Sequence, residues 1–176
     1  MNIQPKVHEF RTDLSASWED SRKDYWVECY RTFFPSMYSH SLHDNDPIAQ
    51  QHGIDRKLFL GGGKIIGIDE KVRGKDYGDI LLEEFSSYET QTPGWIEKPQ
   101  WCDYISYAIP CAGKCFLLPF QQLQTAWRRN KEEWKSKYFR VQAVNKNYTT
   151  ISWAVPIVVV YQAIAECMIT TFTLLK

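Results

Sequence analysis

Residues 53–73, GIDRKLFLGGGKIIGIDEKVR, decide the fold. They read as two strands, residues 54–60 and 64–73, joined by Gly61, Gly62 and Gly63. Three glycines between apolar runs mark a hairpin, because tight turns need positive φ angles that other residues resist. A loop of those three residues sets Leu60 opposite Lys64, and counting back sets Asp55 opposite Asp69. Side chains alternate along a strand, so Asp55, Lys57, Asp69, Lys71 and Arg73 share one face. Ile54, Leu58, Leu60, Ile66, Ile68 and Val72 fall on the other and belong in a core.

Two carboxylates facing each other across a ladder lie roughly 5 Å apart at Cβ and repel. A hard, oxygen-loving divalent cation relieves that repulsion, and Mg²⁺ commonly takes one or two carboxylates together with phosphate oxygens and water. Lys71, two residues after Asp69 on the same face, would stand beside a metal-bound water or a scissile phosphate. A plainer reading has Lys57 and Lys71 neutralise the aspartates on a solvated hairpin, where charge pairs contribute little.

Asp55, a hairpin, and then Asp69-Glu70-Lys71 resemble the signature of the PD-(D/E)XK nuclease superfamily, the restriction-endonuclease-like fold. Ile54 stands where that signature has proline, and the triplet carries Asp rather than Glu. The resemblance extends over most of residues 15–165. It implies a mixed α/β (α+β) domain with a central mixed sheet flanked by helices, in the order helix, three strands, helix, strand. It also implies that a helix before the hairpin lends an acidic residue to the metal, for which Glu19 and Glu28 are the candidates.

The 176 residues, 44% hydrophobic and 24% charged, suit one globular domain across 1–176, with residues 1–14 as an N-terminal arm. Lys+Arg and Asp+Glu both total 21, so a nucleic-acid partner would need a local basic patch rather than bulk charge. Five cysteines and a polar start argue for free thiols and a cytoplasmic setting. Cys111 and Cys115, with Cys102 upstream, lack a fourth zinc ligand, since all four histidines lie far away. The apolar tail from residue 155 carries Pro156, Gln162 and Glu166, which suits a buried strand and helix better than a membrane span.

Taken in order, Ser15 or Ser17 caps a helix that ends at Pro35, with Trp18, Tyr25, Trp26, Cys29, Tyr30 and Phe33 on its apolar face. Residues 35–52 read as a polar loop, whose His43-Asp44-Asn45-Asp46 is a turn before Pro47 rather than a ligand set. His52, close to Asp55, is a minor candidate for substrate contact. Residues 80–87 read as the third strand of a meander. Glu83 and Glu84 point to opposite faces, so only one can join the acidic site. Lys57, Arg73 and Lys75 suit a phosphate backbone. In the loop 88–101, Trp101 reads as a cover for the sheet, while Trp95 and Lys98 are open to nucleic acid. Strands at 103–109 and 115–120, a helix at 121–138, a strand at 150–160 and a closing helix complete the chain. The pattern from Gly94 through Phe120 is similar to small phage or bacterial members of the same superfamily. Five basic residues on the helix at 121–138 form either a DNA footprint or a solvated face.

The expectation is therefore a Mg²⁺-dependent nuclease (Mn²⁺ also suits) that hydrolyses phosphodiester bonds in DNA, RNA not being set apart. Asp55 and Asp69 would be ligands, and Lys71 would complete the catalytic group. Two-strand cleavage would favour a homodimer. The rival readings are an inactive nuclease-fold module that binds DNA or protein, and a small interaction protein acting through its aromatic surface.

Overall fold

The computed structural model describes residues 23–168. Its elements are α1 (Asp24–Phe33), β1 (Met37–Leu42), α2 (Pro47–Gln51), β2 (Arg56–Leu60), β3 (Lys64–Val72), β4 (Asp79–Ser87) and β5 (Thr92–Pro93). There follow β6 (Tyr104–Ile109), β7 (Lys114–Pro119), α3 (Phe120–Lys137), β8 (Phe139–Val144), β9 (Thr149–Pro156) and α4 (Ile157–Cys167). The fold is mixed α+β. A five-stranded sheet runs β1-β2-β3-β6-β7, and a four-stranded antiparallel sheet runs β5-β4-β9-β8.

The hairpin forms as the glycines dictate. Gly61–Gly63 makes one tight turn in which Gly62 and Gly63 both adopt φ of +76°, and Leu60 pairs with Lys64 through to Arg56 with Ile68. The Asp55 amide continues the ladder to the Ile68 carbonyl at 2.9 Å, which brings Asp55 level with Asp69. β3 pairs with β6 in parallel, which puts the middle of β3 inside the sheet; Ile66 through Glu70 are buried.

One face of this sheet carries Leu58, Leu60, Ile66, Ile68 and Ala108, and α1 covers it with Trp26 and Tyr30. The opposite face supplies Ile105, Tyr107, Ile109 and Leu118 to a larger core shared with β4, β9, α3 and α4. Lys23, before α1, leaves its N-terminus without a side-chain cap. Ser15 and Ser17, the caps expected from sequence, lie outside the described residues, as do Trp18, the arm and Glu19.

Four expectations are corrected. Residues 80–87 do form a strand, but β4 joins the second sheet against β9; the third strand of the meander is instead β1, within the stretch read as loop. β8 was unseen. Both β1 and β8 are sheet edges with largely exposed residues, so they carry no apolar alternation to read. Residues 157–160 are helical, because Pro156 ends the ladder and the first turn of α4 places Val160, with Ala163 and Ile164, on the core. Val72 is 40% exposed, since β3 runs out beyond its cover there.

Candidate active site

β3 passes between the two cores, so its alternating side chains enter different surroundings. Glu70 points toward α1. There its Oε1 accepts from Arg56 Nε at 2.6 Å and from the Tyr30 hydroxyl at 2.9 Å, while Arg56 Nη1 lies 3.1 Å from His40 Nδ1. Asp69 and Lys71 point the other way. Lys71 Nζ donates to Asp69 Oδ1 at 2.5 Å.

Asp55 is fixed from both sides. Its Oδ2 accepts the Glu70 amide at 2.7 Å and its Oδ1 accepts Gln50 Nε2 at 2.9 Å. Gln50 in turn sits on α2, whose start is capped by Asp46 Oδ1 accepting the Ile48 and Ala49 amides at 3.0 and 3.1 Å. The polar stretch 43–52 therefore serves as a support for Asp55. Asp46 followed by Pro47, a capping residue and then proline at the first helical position, is the signal that announces such a helix.

Of the two glutamates left open by the sequence, Glu83 is the one that feels the charge of Lys71. Burial raises its pKa, and the opposing charge of Lys71 is the next largest influence on it, followed by the Trp95 amide at 3.3 Å and Lys98. Glu84 turns to α3, where it meets Lys131 and Lys135 at 2.9 Å each and Trp153 Nε1 at 2.8 Å. Gly94 makes the Glu83 arrangement possible: a Cβ there would lie 2.1 Å from the Glu83 carbonyl oxygen.

Burial dominates the electrostatics of Asp69. It raises the carboxyl pKa to about 7 against the pull of Lys71, and the charge of Asp55 adds to the rise. Burial also works against the charge on Lys71, but Asp69, Asp55 and Glu83 together more than offset it and raise its pKa. Asp69 Oδ2 is buried and has no hydrogen-bond partner. An oxygen of that kind, set against a second carboxylate, is satisfied by a shared proton or by a cation.

The donors at this place are hard carboxylate oxygens, which suit Mg²⁺ or Mn²⁺ held by Asp55 and Asp69 with water completing the shell. Among the described residues no three His, Cys, Asp or Glu side chains converge as a ready-made cage.

No protein-family model, characterised protein or solved structure matches this chain. The functional reading therefore rests on the chemistry of the site.

The other residues singled out from sequence divide clearly. Glu28 is exposed on α1, across the sheet from Asp69, and cannot share a cation with it. Trp95 is buried in the larger core and offers no surface for a base, whereas Trp101, expected to cover the sheet, is 61% exposed. The reversal arises because the Gly94 approach draws Trp95 inward against β4. Arg73 is engaged by Asp79 at 2.9 Å and by the Tyr77 ring at 4.7 Å. Lys57 is half-buried opposite Gly67, Lys75 is exposed, and Lys98 lies near enough to Glu83 to lower its pKa. Cys115 faces Ser106 and Cys29, while Cys102 lies near Asp69 on the opposite side of the sheet, so no three cysteines gather among the described residues. Among the described residues no helix is long and apolar enough to cross a membrane.

Proposed function

We propose that the protein is a metal-dependent nuclease that hydrolyses phosphodiester bonds in DNA, using Asp55, Asp69 and Lys71. The observation that supports this most is the buried Asp69 Oδ2, left without a donor beside Asp55 and one hydrogen bond from a protonated lysine. A bound divalent cation would lower the pKa of water and offset charge on a phosphoryl oxygen. Gln50 and the Glu70 amide hold the Asp55 oxygens in one orientation, so the ligand geometry is set before substrate arrives. Lys71 stays protonated among three carboxylates and offers its ammonium to a developing phosphate charge. The charge of Glu83, from the second sheet, favours the protonated form of that ammonium.

Calorimetric titration of Mg²⁺ and Mn²⁺ into wild type and Asp69→Asn, with plasmid cleavage measured in parallel, tests the proposal. Binding and cleavage that both vanish in the variant support it. A wild type that binds neither ion, with or without DNA, overturns it.

A second reading, a nuclease-fold module that binds DNA or protein without turnover, is favoured by the closed Lys71–Asp69 pair at 2.5 Å. That pair already neutralises one of the two carboxylates. The reading predicts DNA affinity indifferent to Mg²⁺ and to loss of Asp69.

A further inference from the structure

Residues 100–103 cross β3 where Gly67 leaves room. A Cβ at Gly67 would meet Cys102 Cα at 3.4 Å and the Trp101 carbonyl oxygen at 3.5 Å. The crossing is clamped by the Asp103 amide to the Gly67 carbonyl at 2.8 Å and the Gly67 amide to Asp103 Oδ2 at 2.7 Å. Gly67 shares a strand face with Asp69, one side-chain repeat or about 7 Å away. A groove of about 750 Å³ opens at this crossing, lined by Gln100, Trp101, Gln121, Gln122 and Lys64, with Ile66 from the α1-facing side of the sheet.

Trp101 is the unusual member. Its ring lies flat on the His52 imidazole, with centroids 3.6 Å apart and planes 4° from parallel, and its amide donates to the His52 carbonyl at 2.9 Å. One ring face is thus covered while 61% of the residue stays exposed, so the second face is turned to solvent in a fixed orientation. An apolar plane held open in this way suits a flat partner, and every nucleobase has such a face. The glutamine amides around it carry both donors and acceptors, as base edges do, and Lys64 brings a cation suited to phosphate. A base within a duplex has its faces occupied by its neighbours, so only an unpaired base reaches the indole.

We propose that this groove binds an unpaired DNA strand, with one base stacked on Trp101. The proposal rests on the nuclease reading for the purpose of the groove but not for its binding.

The test uses the full chain without metal, titrated into labelled oligothymidylate and into a blunt duplex and followed by anisotropy. The proteins are wild type, Trp101→Ala, Trp101→Phe and Asp69→Asn. Trp101→Ala is expected to lower the ratio of single-strand to duplex affinity roughly tenfold, while Trp101→Phe keeps most of it. Asp69→Asn should bind the single strand at least as well as wild type. Equal single-strand affinity in wild type and Trp101→Ala overturns the groove assignment, as does an equal loss on both substrates. Cleavage in Mg²⁺, scored separately, distinguishes the two claims. Cleavage without any Trp101 effect removes the groove and leaves the nuclease; a Trp101-dependent strand without cleavage does the reverse.

Discussion

Replacing Asp69 by asparagine isolates the free energy of keeping an ionised carboxylate inside this sheet. The side chain is 4% exposed, and burial raises its pKa from an ordinary 3.8 to about 7. The folded protein therefore holds a proton on Asp69 that the unfolded chain has released between these two values. Stability from that proton is fully present below the unfolded pKa, and it is lost as pH rises through the folded one. At roughly 1.4 kcal/mol per pH unit across about three units, the loss reaches about 4 kcal/mol. Asparagine carries no such charge. Glu70, Glu83 and Asp79, whose pKa values burial also raises, are common to both proteins and largely cancel in the comparison. Urea unfolding of both proteins between pH 4 and 8, without metal, should show the variant gaining on wild type as pH rises and levelling above pH 7. Part of the gain is offset because Lys71 loses a partner, which lowers the plateau but not the sign. A difference flat to within about 0.5 kcal/mol over that range would refute the claim that Asp69 is desolvated, and with it the electrostatic case for a cation site.

Three other substitutions or additions test neighbouring parts of the argument. Arg56→Met strands Glu70 under α1 and should destabilise the fold by about 3–5 kcal/mol in urea melts, whereas Arg56→Met combined with Glu70→Leu should recover most of that loss. Gly94→Ala forces a Cβ onto the Glu83 carbonyl and should cost about 1–3 kcal/mol, read from thermal unfolding; a neutral result would show that β4 and the 94–98 turn do not approach as described. Saturating Mg²⁺ at pH 7.5 should raise the melting temperature of wild type, by about 2.7 kcal/mol in free energy at a hundred times the dissociation constant. It should leave Asp55→Asn unmoved, and an equal shift in both proteins would place the ion elsewhere.

The hairpin was legible because its determinants are local. Three glycines fix the loop, the loop fixes the register, and the register sets Asp55 beside Asp69 before any tertiary contact is known. Gln50 was not legible as a partner of Asp55, since its role depends on α2 folding back beneath the start of β2. The choice between Glu83 and Glu84 depends on the path of β4 into a second sheet, which no pattern within residues 79–87 encodes. Trp95 and Trp101 exchanged places for a similar reason: the backbone contact of Gly94 with β4 decides which indole is drawn in, and the sequence shows two tryptophans in one loop. Glu28 follows from analogy with a helix that precedes the hairpin, but Trp26 and Tyr30 turn that helix onto the Glu70 face.

The two acidic residues of Asp69-Glu70-Lys71 state the case for function in opposite ways. Glu70 is buried with its Oε2 unpartnered, but its Oε1 accepts from both Arg56 and Tyr30, so a matched cation offsets its charge and the group serves the fold. Asp69, its immediate neighbour, is equally buried and also has one oxygen unmet, but it is paired with Lys71 alone and has Asp55 beside it. An apolar residue facing Ile105 would extend the larger core and remove the repulsion, at the cost of leaving Lys71 without its partner. A fold that carries a destabilising group where a stabilising one fits is locally inconsistent, and such inconsistency concentrates at sites where chemistry is done. The supports built around it, Gln50 on Asp55 and the Glu70 amide on the same carboxylate, hold the two acids together rather than apart. Under the proposed function a divalent cation is the third participant that both carboxylates share; without metal, the raised pKa of Asp69 gives that place to a proton.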